Sequence, residues 1–216
     1  ISILSPKQKT ILAGLRKSKL IKNNFYLTGG TALAKYYLQH RLSEDLDFFS
    51  DKKFNNQTVL TEIESLAKKQ NFSFTSRFSG PVYSFIIEFP DKKKTKLDFG
   101  FYPYKRLKKS KLKFGLQVDS QLDIAVNKLL TISQRTNVKD FVDLYYLLKK
   151  FTFWDLFRGV KVKFRQKPEP FLLAADFLKI EDFDFLPKMI KPLDLEELKK
   201  YYRNLAKGIG EKEVIK

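Results

Sequence analysis

The sequence predicts an α+β fold: a small mixed β-sheet with flanking helices, followed by a helical C-terminal half. Between residues 25 and 118, short apolar segments typical of strands alternate with segments of helical periodicity. From Ser120 onward, apolar residues recur at helical spacing alone. We therefore expect a sheet-containing core over residues 1–118 and a helical domain over residues 119–216.

The N-terminal half is predicted to begin with one helix over residues 5–20, after a Ser-Pro start. A second helix is expected from Thr31 to His40, directly after Gly29-Gly30, and a third over residues 57–70. Apolar runs predict strands at 25–27, 46–50, 72–78, 82–89, 95–102 and 115–118. Pro90 and the charged run after it predict a hairpin between the fourth and fifth of these strands.

The C-terminal half is predicted to hold helices at 120–135, 137–150, 153–158, 170–178 and 194–207. Ser120 and Asn137 are the expected N-caps of the first two, because short polar side chains satisfy free backbone N–H groups there.

Charge is the strongest bulk property of this chain. Its 216 residues carry a net charge of +18, and such a surface attracts nucleic acid. The basic runs at 91–94 and 105–113 are expected on loops beside the sheet, and the basic loops at 91–96 and 105–113 are expected to follow an RNA backbone. The alternative is that the lysines only form a solvated shell.

Composition excludes several kinds of site. The chain has no cysteine, so disulfides and thiolate chemistry are excluded, and its single histidine, His40, excludes a two-histidine site. We expect His40 to end a helix rather than to act in catalysis. Neither a membrane span nor a secretory signal is predicted, and the absence of cysteine fits the cytoplasm.

The acid pair Asp45 and Asp47 is the candidate for chemistry. Residues two apart on a strand point to the same face, so the two carboxylates would lie close together. At about 5 Å and an effective dielectric near 20, they repel by roughly 3 kcal/mol. A divalent cation such as Mg²⁺ offsets that cost. The alternative is two solvated acids paired with lysines.

A phosphate cradle is predicted before the acid pair. Gly29, Gly30 and Thr31 lie between a strand and a helix, where backbone N–H groups bind anions. A two-metal site needs a third carboxylate, and Asp98 on a later strand is preferred to Glu88 for this role.

With these residues in place, the segment 29–49, GGTALAKYYLQHRLSEDLDFF, resembles the first motif of the AbiEii/AbiGii-type toxin nucleotidyltransferases. That motif has a glycine turn, a helix and then Arg-x-Ser-x-Asp-x-Asp, which Arg41, Ser43, Asp45 and Asp47 match. Ser43 would either bind a phosphate or shape the turn.

The segment 123–148 resembles the later motifs of the same family. The matching residues are Asp123, Lys128, Arg135, Asp140 and Asp143. Lys128 and Arg135 are seven apart and share a helix face, which places Lys128 to meet the triphosphate. Asp140 and Asp143, three apart on the next helix, would orient Lys128 or Arg135, or one of them would act in proton transfer. The alternative is an ion-pair network that only joins two helices.

The resemblance implies a DNA polymerase β-like nucleotidyltransferase, with MenT-like relatives that modify the acceptor end of tRNA. It implies an NTP substrate and a neutralising antitoxin. Asp45, Asp47 and Asp98 would bind two Mg²⁺ ions, and Arg41 with Ser43, Lys128 and Arg135 would bind the nucleotide. The helical domain would complete the active-site cleft.

Three alternatives stay open at this point. The acceptor could be an aminoglycoside-like small molecule, although a cationic substrate suits a chain of charge +18 poorly. The fold could serve as a non-catalytic RNA-binding module. The same cradle could also direct kinase-like transfer of the γ-phosphate. Tyr36, Tyr37, Tyr145 and Tyr146 are expected to pack, with base stacking as the alternative.

Overall fold

The structure is a computed structural model that describes residues 2–214, with side chains to residue 211. The chain divides into two compact units. The first unit comprises the described residues up to Tyr37 together with Leu42–Ser120. The second comprises Leu38–Arg41 together with the described residues from Gln121 onward. The outer ends of the two predicted domains, residue 1 and residues 215–216, lie outside the described residues.

The first unit contains a mixed β-sheet, seven-stranded in the described part of the chain. Its strands are β1 (Tyr26–Thr28), β2 (Leu46–Ser50), β3 (Ser73–Ser79), β4 (Val82–Glu88), β5 (Lys94–Phe101), β6 (Lys111–Lys113) and β7 (Leu116–Val118). The order is β3-β4-β5-β2-β1-β7-β6. β2 pairs with β5 and β1 with β7 in parallel, and the other pairs are antiparallel.

Four helices belong to this unit: α1 (Pro6–Leu15), α2 (Lys19–Asn24), α3 (Gly29–Leu33) and α4 (Asn56–Gln70). α3 starts two residues earlier than predicted and continues as a π-helical turn over Ala34–Leu38. The prediction of one helix over residues 5–20 is wrong. α1 ends at Leu15, and Ser18 caps a separate helix by accepting a hydrogen bond from the Ile21 N–H.

The predicted strands are confirmed to within one residue at each end, and so is the β4–β5 hairpin. One expectation fails at the sheet edge. Lys111–Lys113 form β6 instead of continuing the basic loop, because their backbone pairs with β7 in a two-residue hairpin. The strongly charged sequence gave no sign of a strand there.

Alternation along the central strands separates a buried face of the sheet from a polar one. Leu46 and Phe48 on β2 lie opposite Leu97 and Phe99 on β5, and all four are fully buried. The rings of Phe48 and Phe99 stack with centroids 5.6 Å apart. The residues between them therefore point to the opposite face, and these include the acids of the site.

The second unit is helical: α5 (Gln121–Gln134), α6 (Val138–Leu148), α7 (Phe153–Phe164), α8 (Pro170–Phe177) and α9 (Leu195–Val214). A 3₁₀ turn over Leu178–Asp182 follows α8. Asn137 caps α6 as predicted, since its side chain accepts from the Lys139 N–H. The predicted fold class is confirmed. No helix within residues 2–214 has both the length and the apolar character needed to cross a membrane.

A buried ion pair joins α5 to α7. Lys163 Nζ lies 2.7 Å from Asp123 Oδ1, and both side chains are fully buried. Asp123 is one of the predicted motif residues, and the structure places it in this pair. Two charges taken out of water are tolerated only while each compensates the other.

Lys163→Met is therefore expected to lower the free energy of unfolding by about 3–5 kcal/mol, because it removes the ammonium that lies 2.7 Å from the buried Asp123 carboxylate. Urea unfolding followed by circular dichroism measures this. Lys179→Met, which removes a surface ion pair with Asp176, is the matched control and should cost under about 1 kcal/mol. Equal losses in the two variants would show that the buried pair does not hold the helices.

Candidate active site

The parallel pairing of β2 with β5 brings two of the predicted acids together. Asp47 and Asp98 are register partners, so their side chains leave the same face of strands about 4.8 Å apart. Asp98 is 8% exposed, and its Oδ1 atom is buried without a hydrogen-bond partner among the described residues. A buried carboxylate oxygen with nothing to bind is costly unless a ligand supplies a partner.

The glycine turn touches the same acids. Gly29 has a φ of +70°, and a Cβ added there would lie 2.3 Å from Asp47 Oδ2. Only glycine combines this backbone conformation with so close an approach. The Thr31 hydroxyl donates a hydrogen bond to the backbone carbonyl of Asp45. The predicted cradle and the predicted acid pair therefore meet at the first turn of α3.

Asp45 and Ser43 lie outside the strand on which the prediction placed the acid pair. Asp45 directly precedes β2 and is exposed. The backbone carbonyl of Ser43 accepts a hydrogen bond from Gln8 Nε2 at 2.9 Å. This bond holds the segment that leads into β2 through its backbone, and the role of the Ser43 hydroxyl stays a prediction.

Lys96 is a site residue that the sequence reasoning missed. Its Nζ donates to Asp98 Oδ2 at 2.6 Å. Burial lowers the pKa of Lys96, but the hydrogen bond to Asp98 and the charges of Asp98, Asp45 and Asp47 outweigh burial and raise it. The ammonium therefore lies in the field of all three acids. Its position two residues before Asp98 on a strand was the available signal.

The donor chemistry suits Mg²⁺, which prefers carboxylate oxygens. Asp47 and Asp98 supply them side by side, and the unpartnered Oδ1 of Asp98 is a free acceptor. Within the described residues, however, no three His, Cys, Asp or Glu side chains are gathered closely enough to hold an ion. Lys96 is a cation paired with one of these acids in this structure, with its Nζ 2.6 Å from Asp98 Oδ2.

Glu88, the rival to Asp98, lies elsewhere on the sheet. On β4 the residue opposite Asp98 is Ser84, and Glu88 is four residues further along, roughly 13 Å away. Glu88 pairs with Lys92 and Lys94 at 3.4 and 3.1 Å. The register thus places Asp98, and not Glu88, beside Asp47.

A polar row crosses the sheet at the level of the acids. Register partners on five neighbouring strands form it: Arg77, Ser84, Asp98, Asp47 and Thr28. Thr28 Oγ1 then donates to Asp119 Oδ2 at 2.9 Å, just after β7. Asp119 is fully buried, and the sequence reasoning did not identify it. The row therefore places polar side chains on one face of five neighbouring strands, and its end at Thr28 and Asp119 is buried.

The remaining predicted residues gather around Asp143 in the helical unit. Asp143 is fully buried and accepts from Arg41 Nε at 2.6 Å and Nη2 at 2.8 Å. Lys128 Nζ lies 2.6 Å away, and His40 Nε2 lies at 2.7 Å. Burial raises the pKa of Asp143, but the charges of Arg41 and Lys128 and the His40 hydrogen bond hold it well below its usual value. Burial lowers the pKa of His40.

Asp140 extends this network. It accepts from Lys128 at 2.6 Å and from Arg135 Nε at 2.8 Å. Burial raises the pKa of Asp140, and the Lys128 charge with the Arg135 hydrogen bond outweighs it, so the pKa is lowered. Arg41, Lys128 and Arg135 are thus all ion-paired within the helical unit. The interhelical network that the sequence left as an alternative is present.

Comparison with known proteins decides the family. Residues 10–214 match the family described as "Nucleotidyl transferase AbiEii toxin, Type IV TA system". The chain belongs to this AbiEii family. An uncharacterized protein of Aquifex aeolicus (strain VF5) is 34% identical over 140 residues, which is 63% of each chain, so the match spans under two thirds of that relative.

Solved structures of similar fold cover nearly the whole chain. JHP933 from Helicobacter pylori superposes with a TM-score of 0.60 at 25% identity, covering 97% of this chain and 94% of that one. The nucleotidyltransferase toxin MenT4 from Mycobacterium tuberculosis H37Rv gives 0.55 at 19% identity, covering 91% and 82%. The MenT4 likeness shows a shared fold.

Gly29→Ala is expected to damage the site directly, because the new methyl group would displace the Asp47 carboxylate. Gly80→Ala is the matched control: Gly80 also has a positive φ, of +56°, but its added Cβ meets nothing within 4 Å. Both variants should lose about 1–2 kcal/mol of stability to backbone strain. Only Gly29→Ala should also lose at least tenfold in NTP turnover or NTP binding. Equal activity in the two variants would show that the close approach of Gly29 to Asp47 has no role in the reaction.

Proposed function

We propose that this AbiEii-family chain transfers a nucleoside monophosphate from an NTP to the hydroxyl of an RNA acceptor, with the 3′ end of tRNA as one candidate. The observation that carries the proposal is the register of Asp47 with Asp98 beside the Gly29 turn. Two acids and a glycine turn at one point are what a triphosphate and its metals require.

The triphosphate would lie at the first turn of α3. Backbone N–H groups from Gly29 to Thr31 are not yet used by the helix at its start, so they donate to phosphate oxygens. Ser43 precedes the acids and adds a hydroxyl. Because Asp47 packs against Gly29, the phosphates and the carboxylates would share one small volume.

Asp47 and Asp98, with Asp45 at the strand entrance, would hold Mg²⁺, which neutralises phosphate charge and activates a hydroxyl when bound. Asp98 Oδ1 is the buried atom that can accept a hydrogen bond from the attacking acceptor hydroxyl. The hydroxyl gives up its proton toward Asp98 Oδ1, its oxygen forms a bond to the α-phosphorus, and the bond from the α-phosphorus to the bridging oxygen of pyrophosphate breaks. Positioning and charge account for such catalysis, so no covalent enzyme intermediate is needed.

RNA is the acceptor that the charge favours. A net charge of +18 attracts a polyanion and disfavours a cationic aminoglycoside. Exposed Lys111 and Lys113 on β6, and exposed Arg77 on the polar row, lie on the same unit as the acids. The family description also supports a cognate antitoxin that counteracts the activity.

The Asp143 network would have two roles. Its three cations, Arg41, Lys128 and Arg135, exceed the two carboxylates they bind, which leaves positive charge for a phosphate. Arg135 is the accessible member, with a side chain 62% exposed against 9% for Lys128. We assign Arg135 to anion binding, and Lys128 and Asp143 to positioning it.

Asp47→Asn and Asp98→Asn are each expected to lower transfer about 10³-fold or more, because several kcal/mol of charge stabilisation are lost. The assay incubates the protein with Mg²⁺ and α-³²P-labelled NTPs, and with either total tRNA or an aminoglycoside. Label should enter tRNA, with release of pyrophosphate.

Glu88→Gln is the matched control and should stay within about twofold, because it removes only exposed ion pairs. Label in the aminoglycoside would replace RNA by a small-molecule acceptor. Transfer only from γ-labelled NTP would indicate a kinase. Binding of RNA with no transfer of either label would indicate a non-catalytic module.

A further inference from the structure

A cavity in the sheet-containing unit, away from the catalytic acids, has no role in the proposed reaction. It is about 240 Å³ in volume and lies between α1, the π-helical turn and the β6–β7 hairpin. Leu12 and Leu116 give it an apolar floor, and Tyr36 and Phe114 line it with aromatic rings. A pocket of this size suits one nucleobase rather than a large ligand.

Phe114 occupies a position that is unfavourable for a bulky apolar residue, both in backbone conformation and in exposure to solvent. It is the first residue of the two-residue turn between β6 and β7, with a φ of +51°, and Gly115 follows with +78°. Such a turn favours Asn-Gly, and a bulky side chain there costs about 1–2 kcal/mol. Phe114 is also 71% exposed. An aromatic ring that neither stabilises the turn nor packs in the core indicates a binding role.

Tyr36 forms the opposite side of the slot. Its ring centroid lies 6.3 Å from that of Phe114, with an angle of 36° between the planes. A flat base stacked between two rings needs two stacking intervals of about 3.4 Å, or nearly 7 Å. Seating a base there requires the exposed Phe114 side chain to shift outward by about 0.5 Å and to turn toward the plane of Tyr36.

The rim of the cavity is cationic. Lys9, Arg16 and Lys35 line it, and no acidic residue does. In the part of the chain that the structure describes, none of the three makes an ion pair. Three unpaired cations around an apolar slot therefore select a ligand with both a flat apolar group and negative charge.

We propose that this cavity binds one nucleotide of single-stranded RNA, at a site separate from the catalytic acids. The base stacks between Tyr36 and Phe114, and the neighbouring phosphates lie near Lys9, Arg16 and Lys35. An acidic protein segment would satisfy the cations, but the flat two-ring slot favours a base. The inference rests on the proposed use of RNA as acceptor, to which it adds a second contact that holds the strand.

The test measures equilibrium binding of a fluorescein-labelled 12-nucleotide single-stranded RNA to the whole chain without NTP, so that catalysis plays no part. Phe114→Ala should weaken binding about tenfold, and Phe114→Trp should keep it. Phe171→Ala, which removes a ring 65% exposed on α8, is the aromatic control and should change nothing.

The contribution of the cations at the cavity rim is tested by the salt dependence of RNA affinity. Lys9→Ala with Arg16→Ala should reduce the slope of log affinity against log salt by about 1.4, because each phosphate contact contributes about 0.7 on a single strand. Lys150→Ala, an exposed lysine of the helical unit, should leave the slope unchanged. Transfer to tRNA by Phe114→Ala should show a raised KM for RNA and an unchanged kcat.

Equal RNA affinity for Phe114→Ala and the unmodified chain would overturn the inference, and label entering tRNA in that case would leave the proposed function intact. Absence of any RNA binding would overturn it as well. If light scattering shows that Phe114→Ala dissociates a dimer without changing RNA affinity, the cavity is a contact between copies of the chain and the RNA assignment is wrong.

Discussion

Repulsion between neighbouring carboxylates is the constraint on which the rest of the site depends. The β2–β5 register puts Asp47 beside Asp98, and two such charges about 5 Å apart repel by roughly 3 kcal/mol at an effective dielectric near 20. The surroundings increase the cost, because Asp98 is almost buried. Lys96 offsets it in this structure, as its ammonium lies in the field of the acids. Under the proposed function, a metal with its bound phosphates would take the place of this ammonium.

The two faces of the sheet explain how such a site is kept rigid. Phe48 and Phe99 alternate with Asp47 and Asp98 along the same two strands, so the packing that holds the core also fixes the acids. Gly29 adds a contact that no other residue could make. The helical unit differs, because its buried carboxylates of Asp140 and Asp143 are ion-paired with cations. This arrangement favours a role in positioning other side chains over a direct role in the reaction.

Much of the fold could be predicted because alternation and helical periodicity are local. The Asp45-Leu46-Asp47 spacing and the Gly29 turn could be recognised in the sequence for the same reason, because each lies within a few residues. The sequence allowed only a preference for Asp98 over Glu88 as the neighbour of Asp47, because the pairing of β2 with β5 joins strands that a helix and two other strands separate in the chain. The salt bridge of Arg41 with Asp143 joins residues 102 apart, and nothing near Arg41 indicates it. Lys111–Lys113 became a strand through pairing alone, against the preference of a charged sequence.

A crystal structure of the chain with Mn²⁺ and a non-hydrolysable NTP analogue tests the central claim most directly. Anomalous scattering should place Mn²⁺ between the carboxylates of Asp47 and Asp98, with Lys96 turned away from Asp98 and the triphosphate against the first turn of α3. Metal and nucleotide bound away from these acids, with the Lys96–Asp98 ion pair intact, would contradict it.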